Sequence, residues 1–172
     1  LYYVPVITSY VVVIVVWQWF FDYDIGLFNS ILGVLGFEKA PWLLDPKWAM
    51  PSLVLLSIWK NCGYTVLMFM AGLQTIDENL YEAAAIDGAG IWQRIIHIMI
   101  PAIKKLAGTL LILQIISVFQ IMYEPMVMTN GGPNGASEAL MMRMYQYAFR
   151  DYNFPMASAL SVMICIILII LS

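Results

Sequence analysis

Four stretches of this sequence, residues 4–21, 50–73, 106–128 and 156–171, carry only two charges between them, Lys60 and Glu124. A helix needs about 20 apolar residues to cross the hydrocarbon core. The middle two stretches reach that length and the outer two fall short by a turn or so. In lipid every backbone N–H and C=O must be satisfied within the segment, which leaves helices and closed barrels. The stretches are too long, and alternate too little in polarity, for barrel strands. The predicted fold is therefore all-α, a polytopic transmembrane helical bundle with about four membrane-spanning segments. The chain is 62% hydrophobic and 11% charged, against about 25% charged in soluble domains. Its net charge of −3 comes with no basic block, so nucleic acid is not an expected partner. Cys62 and Cys165 sit in apolar stretches without CxxC spacing and are expected to be free, membrane-buried thiols. No metal site and no catalytic constellation is expected. The sequence starts at Leu1 and stops at Ser172 inside apolar runs, which reads as one partial transmembrane domain, 1–172, of a longer protein.

The intervening segments differ in kind. Residues 22–49 hold Gly26, Gly33, Gly36, Pro41 and Pro46, with Trp42 and Trp48 suited to a membrane interface; residues 27–32 can form a short helix on the membrane surface. Residues 129–155 open with Gly131-Gly132-Pro133, a run that must end a helix. Residues 75–105 look helical and amphipathic but not spanning. Thr75-Ile76-Asp77-Glu78 has capping-box spacing, and Glu82-Ala83-Ala84-Ala85 offers a small-residue face. Gly88 supplies a left-handed stop. A second helix follows, with Ile91, Ile95 and Ile98 on one side and Gln93, Arg94 and a solvated His97 on the other. Pro101 ends that helix or starts the next, where Lys104 and Lys105 can snorkel. Basic residues do not decide orientation: Arg94, Lys104 and Lys105 stand against Lys39, Lys47, Arg143 and Arg150.

Glu82-Ala83-Ala84, then Gly88, then Ile98-Met99-Ile100-Pro101 resembles the EAA loop of ABC importer permeases, with Ile100 where that pattern has leucine. Thr129-Asn130-Gly131-Gly132-Pro133 resembles the TxGGP turn of the carbohydrate (maltose permease-like) branch, and Gly26-Leu27-Phe28-Asn29 and Pro41-Trp42-Leu43 are similar to that branch as well. The resemblance spans the chain, lacking the family's first helices and its last. It implies that 75–105 is cytoplasmic, that Glu82, Ala83, Ala84, Asp87, Gly88, Ile98 and Pro101 couple to an ATPase, and that the other two loops face outward. It further implies a second permease subunit, an ATPase dimer, an external solute-binding protein and a bacterial or archaeal cell (inner) membrane.

A lysine facing lipid at mid-membrane costs roughly 2.5–3.5 kcal/mol on insertion scales, so Lys60 is expected to face a bundle interior or a wet cavity. Tyr64 lies one turn on, and Asn61 points about 100° away. Gln114, Ser117 and Gln120 punctuate the next stretch. In the maltose permease the helices these resemble line the sugar path, and the spacing matches without gaps. Lys60, Asn61, Tyr64, Gln114, Ser117 and Gln120 are therefore either path-lining groups or hydrogen bonds between helices. Glu124 before Pro125 reads as an interfacial carboxylate beside a kink, and the twelve methionines as helix packing.

The sequence contains no G-x-x-x-x-G-K, so no P-loop is available to hold ATP. No cofactor is expected in this chain; ATP and Mg²⁺ would sit on the ATPase subunit. A membrane-embedded enzyme would need clustered His, Asp or Glu in the membrane, and an ion-coupled transporter carboxylates or broken helices near the midplane. Neither pattern is evident. The expected function is the non-enzymatic transmembrane subunit of an ATP-driven importer of a sugar or polyol.

Overall fold

The computed structural model describes residues 3–171; Leu1, Tyr2 and Ser172, the ends read above as lying inside apolar runs, fall outside the described residues. In chain order the helices are α1 (Val4–Ile7), α2 (Tyr10–Phe20), α3 (Leu27–Val34), α4 (Pro46–Leu73), α5 (Glu78–Ile86) and α6 (Ile91–Arg94). A π-helical turn (Ile95–Met99) joins α6 to α7 (Ile100–Phe119), and α8 (Tyr123–Met128) and α9 (Leu140–Tyr145) follow. A second π turn (Gln146–Arg150) precedes α10 (Phe154–Leu171). Among the described residues there is no strand. Among the described residues three helical runs are long and apolar enough to cross a membrane: Pro46–Leu73, Ile91–Met128 and Phe154–Leu171.

The first apolar stretch does not form a fourth such helix. It breaks at Thr8–Ser9, where Thr8 takes an extended conformation (ψ 146°). The break leaves carbonyls without helical partners, and the Lys60 ammonium fills that need by donating to the carbonyls of Pro5 and Thr8. The stretch 106–128 also breaks, at Gln120–Met122, so that α8 packs back against α2. The helix of the second stretch, α4, starts before Met50: the Asp45 side chain accepts from the Lys47 N–H (2.8 Å) and Pro46 occupies the first turn, where a missing N–H costs nothing.

Pro101 does not interrupt its helix. Proline clashes with the carbonyl four residues back, here that of His97. The π turn over Ile95–Met99 widens the backbone just before it, so α6 and α7 run on as one element. The cap of α5 also differs from expectation. Asp77 accepts from the Asn79 N–H (3.0 Å), whereas the Thr75 hydroxyl turns back to the Gly72 carbonyl (2.8 Å).

α4 and α7 are antiparallel neighbours. Their approach near the 75–105 end is close because Gly72 lies against Leu106 and Ile103. At the other end Val13, Ile14, Trp17 and Phe21 of the first stretch bury against Leu53, Leu56 and Met128. The predicted surface helix is α3, and its Asn29 is 2% exposed. The Asn29 amide donates to the carbonyls of Tyr23 (3.1 Å) and Ala40 (3.0 Å) and accepts from the Ala40 N–H (2.9 Å) and Trp42 Nε1 (3.0 Å). Four bonds from one side chain close the 22–45 segment over the helix ends. Gly26 is required there by space, since a Cβ would strike the backbone of Asp22 and Phe20.

The Thr129–Pro133 turn uses left-handed Asn130 (φ 50°) and Gly131 (φ 80°). It is held by buried Ser137, whose hydroxyl donates to the Gly132 carbonyl (2.6 Å) and lies 2.6 Å from the Thr129 hydroxyl. Cys62 and Cys165 are unpaired, and both lie on the outer surface of the chain rather than in its interior.

Candidate functional site

A cavity of about 230 Å³ opens where α2, α4, α7 and the Gln120–Met122 break converge. Ser57 and Asn61 of α4 face it one turn apart, and Gln114, Ser117 and Val118 of α7 form the opposing wall. Residues 120–124 contribute the end of the cavity through the segment where the helix is interrupted, and Tyr10 enters from α2. Asn61 Nδ2 donates to the Ser57 carbonyl at 2.9 Å, which fixes the amide along the wall.

Of the six residues predicted for the transport path, the cavity gathers Asn61, Gln114, Ser117 and Gln120. Gln120 also borders a wider apolar groove of about 640 Å³ lined by Met141, Met144, Ile164 and Cys165. Lys60 and Tyr64 do not line the cavity. Lys60 is 6% exposed, with its ammonium on the carbonyls of Pro5 and Thr8 and 5.3 Å from the centroid of the Tyr10 ring. It is a structural partner of the broken first stretch. Tyr64, one turn on, is exposed on α4. The 100° turn that sets Asn61 apart from Lys60 is what aims Asn61 at α7.

The sequence reading missed Ser57, Tyr10 and Tyr123, and gave Glu124 no place in the cavity. Glu124, read as an interfacial carboxylate beside a kink, is 2% exposed, lines the cavity and accepts a hydrogen bond from the Tyr10 hydroxyl. A charge inside an apolar stretch was the available signal, since a buried carboxylate needs a partner. Nothing in the sequence brings Tyr10 to Glu124, which lie 114 residues apart.

The second candidate surface is the 75–105 segment. No residue of α5 is buried. The helix ends in a Schellman motif, with the Ala89 N–H on the Ala84 carbonyl (2.8 Å), the Gly88 N–H on the Ala85 carbonyl (3.1 Å) and Gly88 at φ +76°. Gly88 has open space around its Cβ position, so within this chain the left-handed backbone, not close packing, calls for glycine. Gln93 Oε1 accepts from the Gly90 N–H (2.8 Å) and Arg94 Nε donates to the Ala89 carbonyl (3.1 Å), which fixes the elbow. Glu82, Ala83, Asp87, Gly88 and Pro101 are exposed; Ala84 and Ile98 are half-buried. His97 is exposed. Ile86 and Trp92 are 87% and 76% exposed.

Among the described residues no group of His, Cys, Asp and Glu could hold a metal.

The family model described as binding-protein-dependent transport system inner membrane component matches residues 1–172. Similar curated proteins include the probable ABC transporter permease protein YurN of Bacillus subtilis, 32% identical over 173 residues and covering 99% of this chain and 59% of that one. The sulfoquinovosyl glycerol transport system permease protein SmoG of Agrobacterium fabrum is 39% identical over 147 residues, 86% of this chain and 48% of its own length. The trehalose/maltose transport system permease protein MalF of Thermococcus litoralis is 37% identical over 150 residues, 86% and 50%. The chain thus spans about half to three-fifths of these relatives. Its fold is that of a chain in the crystal structure of a bacterial alginate ABC transporter in complex with an alginate pentasaccharide-bound periplasmic protein, with a TM-score of 0.88 at 23% identity over 98% of this chain and 59% of that one.

Proposed function

This chain belongs to the binding-protein-dependent transport system inner membrane components, and from that premise we propose that it is the transmembrane subunit of an ATP-driven importer that forms part of the path for a sugar or similar polyol. The observation that carries the solute path is the cavity walled by Ser57, Asn61, Gln114, Ser117 and Gln120. Amides and hydroxyls bond hydroxyl groups in either direction, and a polyol entering a low-dielectric span needs them to replace its water. The relatives' names, which include sulfoquinovosyl glycerol, trehalose and maltose, and xylose and arabinose, support a carbohydrate. Lys60 and Tyr64 act beside the path rather than in it.

Residues 75–105 are, on this reading, the cytoplasmic coupling loop of a single partial permease domain. Their exposed apolar side chains, Ile86, Ile91 and Trp92, need a partner surface, and a separate ATPase dimer holding ATP and Mg²⁺ is the partner the EAA resemblance implies. The chain itself is not an enzyme. A second permease subunit and an external solute-binding protein complete the importer in a bacterial or archaeal cell (inner) membrane. The test is reconstitution of the full-length protein with its partner subunits in proteoliposomes. ATP hydrolysis and solute uptake should both rise when the solute-loaded binding protein is added. Hydrolysis indifferent to that addition would refute the reading.

A further inference from the structure

Resting on the transport reading, we infer that Glu124 sets the charge class of the solute: with Tyr10 it makes this cavity accept uncharged or cationic polyols and exclude anionic ones. Glu124 is the one charged residue among those lining the cavity; the rest are amides, hydroxyls and apolar groups. The Tyr10 hydroxyl donates to Oε1, and no described residue donates to Oε2. No buried side-chain oxygen among the described residues is sealed away without a partner, so Oε2 retains access to the cavity. A carboxylate accepts strongly from hydroxyl donors, at about 2.5–2.7 Å for O–H···O⁻, and a polyol supplies such donors.

The nearby cation makes no direct contact with a solute here. The Lys60 ammonium donates to the Pro5 and Thr8 carbonyls, faces the Tyr10 ring and lines no part of the cavity, so its field reaches the cavity only through the Tyr10 ring. An anionic sugar entering here would lose hydration without gaining a counter-charge, and would meet a carboxylate of like sign. The cavity, about 230 Å³, is smaller than the ~300–1,000 Å³ typical of sites for drug-sized ligands. It therefore grips one part of a solute, where a single charge has most effect.

The test needs no knowledge of the solute. In the complete reconstituted importer, with Cys62 and Cys165 replaced by serine, Ser117→Cys reports on the cavity. Its modification rates with cationic trimethylammonioethyl and anionic sulfonatoethyl methanethiosulfonate are compared. The cationic-to-anionic rate ratio should fall at least about tenfold on adding Glu124→Gln, which keeps an oxygen for Tyr10, and should be restored with Glu124→Asp. A ratio unmoved by Glu124→Gln, loss of the ratio in Glu124→Asp as well, or no reaction with either reagent would each overturn the inference. Uptake from the loaded binding protein by vesicles carrying wild-type Ser117 separates the two readings. Uptake without charge preference keeps transport and removes the filter; charge preference without uptake keeps the filter and removes transport.

Discussion

Where α2, α3 and the start of α4 meet, Phe21, Phe28, Trp42 and Trp48 pack ring against ring and Asn29 closes four hydrogen bonds; beyond the other end of α4, α5 buries nothing and Ile86, Ile91 and Trp92 stand in the open. Both regions adjoin α4, one at each end. The first satisfies the polar groups around Asn29 and buries Phe21, with Phe28 and Trp42 half-buried, from within the chain. The second satisfies its backbone locally, through the Asp77 cap and the Gly88 turn, and leaves its apolar side chains for something else. On the proposed reading the difference is one between stability and coupling: substitutions at the first region should unfold the protein, and substitutions at the second should disable it while folded.

The largest expected effect is on transport. Gly88→Trp should abolish uptake by the reconstituted importer, lower the thermal midpoint of the permease by only a few degrees and leave the isolated ATPase active. A Cβ at Gly88 meets nothing within 4 Å, so within this chain the cost is the left-handed backbone penalty of about 1–2 kcal/mol, confined to the turn; on the proposed reading, the indole obstructs the ATPase subunit. Uptake at the wild-type rate would end the contrast between the two regions.

Asn29→Ala tests the opposite region. It leaves the Ala40 N–H and carbonyl, the Tyr23 carbonyl and the Trp42 indole N–H without their shared partner. Unsatisfied buried groups cost about 1–3 kcal/mol each and are partly rescued by relaxation. A loss of about 3 kcal/mol is expected, read as a lower thermal midpoint in detergent. A silent substitution there would mean that this region is no more self-contained than the 75–105 segment.

Lys60→Met separates structure from solute path within the membrane. Removing the ammonium strands the Thr8 carbonyl, while that of Pro5 keeps the Thr8 hydroxyl (2.8 Å), and should cost about 2 kcal/mol, whereas Tyr64→Ala at an exposed position should cost less. Equal, negligible costs with a shared transport defect would return Lys60 to the path. This residue also marks what the sequence could and could not tell. Its burial follows from the price of a lipid-facing ammonium, but its partners do not, because they lie 52 and 55 residues away. The same holds for both helix breaks. Helices were legible from apolar length, and the Gly131-Gly132-Pro133 and Gly88 turns from backbone chemistry. Thr8–Ser9 and Gln120–Met122 contain neither Gly nor Pro and sit beside long-range side-chain contacts, Lys60 to the first stretch and Tyr10 to Glu124. Asn61, Gln114, Ser117 and Gln120 could be read as polar groups in apolar stretches. Their union with Glu124 depends on the second break, so the end of the cavity was invisible.

The smallest effect belongs to Asp22, an exposed residue at the edge of the self-contained region. Its carboxylate accepts from the backbone N–H groups of Asp24 (2.9 Å) and Ile25 (3.0 Å). Those bonds, with a smaller contribution from Lys39, favour the charged form and hold its pKa below the ordinary carboxylate value. A lowered folded-state pKa means that the stabilisation is fully present above the unfolded carboxyl pKa, about 3.9, and is lost as pH falls through the lower folded value. Asp22→Asn keeps an acceptor for the turn but not the charge, so it should lower the thermal midpoint slightly at neutral pH, and the gap from wild type should close on acidification. Because the turn holds the entry to α3, whose Asn29 ties the region together, the sign of this small change is informative. A gap that widens as pH falls would mean that the Asp22 charge opposes the turn and that the Asn29 bonds hold the region against it.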